Sequence, residues 1–261
     1  MPSFDEWMAA LEARHLADLE FREVSRALRA LSSTYVERRS RLNEGAALAG
    51  AGKRAAFALF YGPLHYLLVR EIVTALPGAP SIRGPLVDLG CGTGASSAAW
   101  AHSCVLSPRI VGIDRNAWAR QEAAWTYRQC GLRARTLHGN IADQVPELSQ
   151  AAFLLAFTAN EMDSASRGRL LAQIIERSLE GNAVLVVEPI AGFVAPWWSD
   201  WRARFEEAGG RGDEWRFRVK LPPIVAKLDR AAGLNHSELT GRSLWVPPGR
   251  RADVVRPRRT A

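Results

Sequence analysis

Leu86-Val87-Asp88-Leu89-Gly90-Cys91-Gly92-Thr93-Gly94 is the stretch whose reading decides the fold. The apolar run from Pro85 to Leu89 reads as a buried strand. It breaks into three glycines at alternate positions, ahead of the small-residue helix Ala95-Ser96-Ser97-Ala98-Ala99-Trp100. Glycines let a backbone turn sharply and approach a ligand where a Cβ would clash. The helix that follows offers unpaired N–H groups to a carboxylate or phosphate. The next apolar run, Ile110-Val111-Gly112-Ile113, ends in Asp114. Asp114 lies about twenty residues beyond the glycines, the spacing that places a carboxylate on ribose hydroxyls. The alternative is a tight strand-to-helix turn with no ligand, against which the paired Asp114 weighs.

Two nucleotide-type ligands use this geometry. Gly90-Cys91-Gly92-Thr93-Gly94-Ala95 fits the dinucleotide fingerprint, with Ala95 in the third small position. The order Asp88-x-Gly90-x-Gly92-x-Gly94 fits S-adenosylmethionine better, because Asp88 can receive a methionine ammonium but would repel a pyrophosphate. Here the sequence resembles the class I S-adenosylmethionine-dependent methyltransferases, whose first motif reads much like Val87 to Gly94. Cys91, inside the loop, reads as a small buried residue.

The chain has 261 residues, enough for one large α/β domain with a helical extension. Its 48% hydrophobic and 23% charged residues are those of a soluble globular protein. No apolar run approaches the roughly twenty residues of a membrane span, and the acidic N-terminus predicts no signal peptide. Cys91, Cys104 and Cys130 cannot all pair and form no Cys-x-x-Cys, which predicts a reducing, cytoplasmic setting and no metal cluster. Of the net +7, the tail from Arg250 carries +4, from five arginines against Asp253. Arg38, Arg39, Arg41, Lys53 and Arg54 form a second basic cluster. Such patches favour phosphate-bearing partners by counterion release, or are simply solvated surface.

Ser3 and Glu6 read as a capping box opening a helix. Residues 1–80 read as a helical N-terminal region, with a helix interrupted at Gly62-Pro63. Residues 81–247 alternate strand and helix, which predicts an α/β, doubly wound, mostly parallel seven-stranded sheet. Strands are expected at 86–89, 110–113, 133–137, 153–158 and 183–187, then a helix at 222–232 and a hairpin of 237–239 with 243–246. Residues 248–261 read as a basic tail.

The resemblance carries roles onto matching positions. It implies that Asp88, Gly90, Cys91, Gly92 and Gly94 hold the methionine part of the cofactor, Asp114 and Arg115 the ribose side, and Asn140 with Ile141 the adenine. Asn140, or Asp143 further on, stands where the family commonly has an acid. The acceptor is expected beyond the fourth and fifth strands, at Asn160-Glu161 and Val187-Glu188-Pro189-Ile190. Asn160 would hold an amine or hydroxyl and Glu161 take a proton; otherwise Asn160 caps a helix and Glu161 is solvated. Tyr61, His65, Trp197 and Trp198 are candidate acceptor-binding residues. Trp197, Trp198, Trp201 and Trp215 either stack on an acceptor or pack a core.

Five segments together look like a narrower family, the methyltransferase-like proteins of the small ribosomal subunit of bacteria and mitochondria. They are Leu31-Ser32-Ser33-Thr34-Tyr35, Tyr61-Gly62-Pro63-Leu64-His65-Tyr66, the glycine motif, Thr158-Ala159-Asn160-Glu161-Met162, and Val187-Glu188-Pro189-Ile190. That likeness implies ribosomal RNA, or the small ribosomal subunit, as partner. This chain departs from it in carrying tryptophans where many members carry a cysteine cluster after the fifth strand. A small-molecule acceptor and a non-catalytic assembly role are the alternatives.

Overall fold

A computed structural model describes residues 2–37, 48–190 and 196–249. Arg38, Arg39 and Arg41 of one basic cluster, and the tail from Arg250, lie outside the described residues. Seven strands, β1 (Leu86–Leu89), β2 (Ile110–Asp114), β3 (Ala134–His138), β4 (Ala152–Ala156), β5 (Ala183–Glu188), β6 (Arg211–Phe217) and β7 (Leu239–Val246), form one sheet in the order 3-2-1-4-5-7-6. Only β7 runs against its neighbours, β5 and β6. The central strands are buried along their whole length and mostly apolar, because both faces of a parallel sheet are covered. Strand order reverses between β1 and β4, and a crevice opens beyond their carboxyl ends.

Side chains alternate between two cores. Leu86, Leu154, Leu185 and Trp245 face one side, with α4 (Gly62–Ala75), α5 (Ala95–Ser103) and the N-terminal helices α1 (Phe4–His15) and α2 (Phe21–Glu37). Val87, Phe153, Leu155 and Val186 face the other, with α7 (Ser164–Leu179) and α8 (Trp198–Glu207). The remaining helices are α3 (Ala51–Ala56), α6 (Ala117–Gln129) and α9 (Pro223–Ala231).

Three features differ from the sequence expectation. The helix is not interrupted at Gly62-Pro63: α3 passes into α4 through a π-helical turn, Phe57–Tyr61. Pro63 has no N–H for the ladder, and one widened turn accommodates it without a break. Gly62 lets this rod lie on the glycine loop, since a Cβ there would sit 3.3 Å from Thr93 Oγ1. The antiparallel pair is β6 with β7, flanking α9, and Leu239–Val246 is one strand. Charged residues along Arg211–Phe217 disguise β6 as loop, yet charges are what a sheet edge carries. β4 also ends at Ala156, two residues early, because Phe157 turns to φ +58°.

The capping box on α1 is present, with Ser3 Oγ accepting from Glu6 N–H and the Glu6 carboxylate from Ser3 N–H. At the other end of α1, Arg14 and His15 meet Glu122 of α6 at 3.3 and 2.7 Å. Glu122 is 1% exposed. Burial alone would raise its pKa, but the His15 hydrogen bond and the charges of His15 and Arg14 hold it below the usual glutamate range. Glu122→Ala is expected to lower the unfolding free energy by about 2 kcal/mol at neutral pH. A depressed carboxylate pKa stabilises above the unfolded value and stops doing so as pH falls through the folded one. Urea unfolding should therefore show the deficit shrinking in acid. A deficit unchanged with pH would mean that packing, not the ion pair, carries it.

Candidate active site

The tips of β1, β2 and β4 open a cleft of about 270 Å³. Gly90, Gly92 and Gly94 all have positive φ. A Cβ on Gly90 would lie 2.5 Å from Thr158, whereas Gly92 faces open space and leaves its backbone bare to a ligand. Gly94 caps α5 against the Tyr127 ring, behind the cleft.

Asp88 lines the cleft floor at 1% exposure, with Oδ2 accepting from Ser97 Oγ–H at 2.5 Å. Burial pushes its pKa up to about 7, against the pull of that hydrogen bond. Asp114 accepts Gly92 N–H at 3.0 Å on one oxygen and Asn116 N–H at 2.8 Å on the other. Cys91 and Arg115 line the same wall. Cys91 is buried, and desolvation raises its thiol well above the ordinary value. Asn140 and Ile141 line the far side. Asn140 donates to Asp143 at 2.9 Å and accepts Ala142 N–H at 3.2 Å, which sets the turn. Trp118, on the first turn of α6, adds an aromatic wall with Arg54 over its ring at 5.7 Å. The cradle suits S-adenosylmethionine: bare glycine backbone, a buried carboxylate for an ammonium, a strand-tip carboxylate for hydroxyls, and an aromatic flank.

At the other end the rod α3–α4 supplies Phe57 and His65, and the β4 tip supplies Phe157, Thr158, Glu161 and Met162. The His65 ring stacks on Phe157 at 3.8 Å and 11°, with Phe57 edge-on at 6.2 Å. Burial lowers the His65 pKa to about 3, so the imidazole is neutral. Phe157 holds the left-handed conformation unfavourable to a bulky residue, a strain of roughly 1–3 kcal/mol.

Five residues expected at the site do not line the cleft: Gly94, behind it, and Tyr61, Asn160, Trp197 and Trp198. Tyr61 packs on Phe57 and Phe60 beside it. Asn160 turns away, donating Nδ2–H to Glu188 Oε2 at 2.6 Å and accepting Trp197 Nε1–H at 3.2 Å. Trp197 packs edge-to-face on Trp198 and Trp201. Trp198 is buried under the Arg242 guanidinium, 4.2 Å from its ring. Trp215, in β6, stacks on Phe217. Among the described residues no cluster of three or more His, Cys, Asp or Glu could hold a metal ion, and no helix is long and apolar enough to cross a membrane.

Residues 86–180 match the methyltransferase domain family. The ribosomal RNA small subunit methyltransferase H of Prochlorococcus marinus is 32% identical over 108 residues. That alignment covers 39% of this chain and 35% of the relative, so the chain matches about a third of its length. Among solved structures, the mitomycin 7-O-methyltransferase MmcR superposes with a TM-score of 0.54 at 16% identity, covering 93% of this chain and 72% of its own. The O-methyltransferase NcsB1 of neocarzinostatin biosynthesis, in complex with S-adenosylmethionine and a naphthoic acid, gives 0.51 at 14% identity, over 83% and 66%. These two likenesses are of fold. The glycine loop and Asp114 thus lie within a segment, 86–180, that matches a methyltransferase domain, on a 3-2-1-4-5-7-6 sheet whose fold is shared with two O-methyltransferases.

Proposed function

We propose that this chain methylates a small nucleophile held between Glu161 and the aromatic wall of Phe57, His65 and Phe157. S-adenosylmethionine, when bound, supplies an electrophilic methyl group on a sulfonium. Asp88 meets its ammonium, the glycine loop its carboxylate, Asp114 its ribose hydroxyls, and the Asn140–Ile141 turn its adenine. The chain's task is alignment, because displacement at the methyl group is in line. Glu161 takes the proton of the nucleophile's O–H or N–H, and neutral His65 accepts a second N–H where the nucleophile is an amine. The observation that carries a small acceptor is the sign of the cleft: Asp88, Asp114, Glu161 and Asp163 line it, against Arg115. Carboxylates at this density repel a phosphate backbone and tolerate a neutral or cationic acceptor.

A second reading, ribosomal RNA as acceptor, is supported by the identity to the Prochlorococcus ribosomal RNA methyltransferase and by the arginines from Arg250 onward. In that reading RNA is gripped outside the cleft and only one nucleotide enters.

Calorimetry with S-adenosylhomocysteine tests the cofactor assignments. Asp88 must be ionised to hold an ammonium, and it protonates near pH 7 in the free protein. Affinity should thus fall about tenfold from pH 8 to pH 6. A flat profile would take Asp88 out of the ammonium contact. Asp114→Ala should weaken binding about ten- to hundredfold, since two charge-assisted hydrogen bonds are lost. Unchanged affinity would remove the ribose assignment.

Deleting residues 250–261 separates the two acceptors. A small-acceptor enzyme keeps its cofactor affinity and its weak, unselective RNA binding. An RNA enzyme loses RNA affinity, and the slope of that affinity with salt becomes shallower.

A further inference from the structure

Glu188, at the carboxyl end of β5, is 0% exposed and lies outside the cleft lining. Three N–H donors converge on it from the turn after β4. Oε1 accepts from Ala159 N–H at 2.8 Å and from Asn160 N–H at 3.4 Å, and Oε2 accepts from the Asn160 side chain at 2.6 Å. Asn160 passes the contact on, accepting Trp197 Nε1–H through its own Oδ1. Arg167 of α7 locks the same turn from the other side. It donates to the carbonyls of Ala159 and Met162 at 3.2 and 2.9 Å, with Trp197 over its guanidinium at 5.1 Å. The turn so held, 159–161, carries Glu161 and Met162 into the cleft, directly after Thr158, which touches Gly90.

We propose that Glu188 is a positioning residue, an anchor whose two oxygens, by accepting three N–H bonds, set the 159–161 turn and, through Asn160, the orientation of the Trp197 indole. Donor and acceptor parity requires it. Trp197 can only donate, so Asn160 must present its oxygen there and its NH2 to Glu188. A carboxyl group, with acceptor lone pairs on both oxygens, can accept from that NH2 and from both backbone amides at once. Burying it is costly: desolvation pushes its pKa up to about 8, opposed by the Ala159 and Asn160 amides. The charged groups around it are Glu161 from the turn, Arg242 from β7 and Arg167 from α7. A group under such desolvation persists where its hydrogen bonds are required.

The chain of contacts predicts a swap. In Glu188→Gln, an amide NH2 faces the Asn160 NH2, and no flip of Asn160 helps, because Trp197 would then meet a donor. Adding Asn160→Asp restores every contact. The new amide at position 188 donates to the new carboxylate at position 160, the reverse of the native bond, and Trp197 still donates to position 160. Two readouts apply to the full chain: the Trp197 indole 15N–H resonance, assigned with Trp197→Phe, and calorimetric affinity for S-adenosylhomocysteine. Glu188→Gln should displace the resonance and weaken binding about tenfold, and the E188Q/N160D pair should restore both. A pair no better than the single variant, whether unfolded, unbound or still displaced, overturns the proposal, as does a Glu188→Gln protein indistinguishable from wild type. The affinity arm rests on the cofactor reading above. If wild type binds no S-adenosylhomocysteine, that reading fails by itself, and the indole resonance still decides the role of Glu188.

Discussion

One carboxylate joins two loops into a site. Asp114 accepts the Gly92 N–H from the turn after β1 and the Asn116 N–H from the turn after β2, at 3.0 and 2.8 Å. Each turn alone is a strand feeding a helix, the commonest unit of a doubly wound sheet. Bridged, they form a continuous wall of backbone polar groups on one side of the reversal point between β1 and β4. The opposing wall is built by a different device, the helical rod 51–75 laid across the loop at Gly62 and Thr93. The N-terminal helices therefore complete the cleft as well as burying Trp7, Phe60 and Trp100.

What was legible in the sequence was whatever is encoded locally. β1, β2 and β5 are mostly apolar runs with a carboxylate at or near the tip; the glycine loop and Asp114 stand at a fixed spacing; the Ser3–Glu6 box opens α1 where expected. The edge strand β6 was not legible, because Arg211, Asp213, Glu214 and Arg216 give it the composition of a loop and only pairing with β7 makes it a strand. The π turn at Phe57–Tyr61 was not legible either, since a proline reads as a break until the surrounding core holds the helix together. At the site, the cleft-lining residues expected in advance are those on the glycine and Asp114 turns, with Asn140, Ile141, His65 and Glu161. Phe157 was missed because left-handed backbone has no signature in a phenylalanine. The direction of Asn160 was hidden because its partners, Glu188 and Trp197, lie 28 and 37 residues away.

The buried carboxylates of this fold divide into two kinds with opposite pH behaviour. Glu122 is held below its ordinary range by His15 and Arg14, so it stabilises the native state at neutral pH and ceases to in acid. Asp88 and Glu188 are displaced upward by burial, to about 7 and about 8. For these two the unfolded chain releases its proton first, so each weakens the fold as pH rises from the ordinary carboxylate range to its folded value. A sequence under selection for stability alone would replace both with apolar residues that fit the neighbouring cores. Their places at the tips of parallel strands explain why they stay. Asp88 sits where a ligand cation can ionise it and offset its desolvation. Glu188 has no access to a ligand, so its own backbone and side-chain donors must supply that compensation. The strain at Phe157 and the desolvation of Glu188 thus fall on the same short stretch, the exit from β4, which is where the acceptor side of the cleft is shaped.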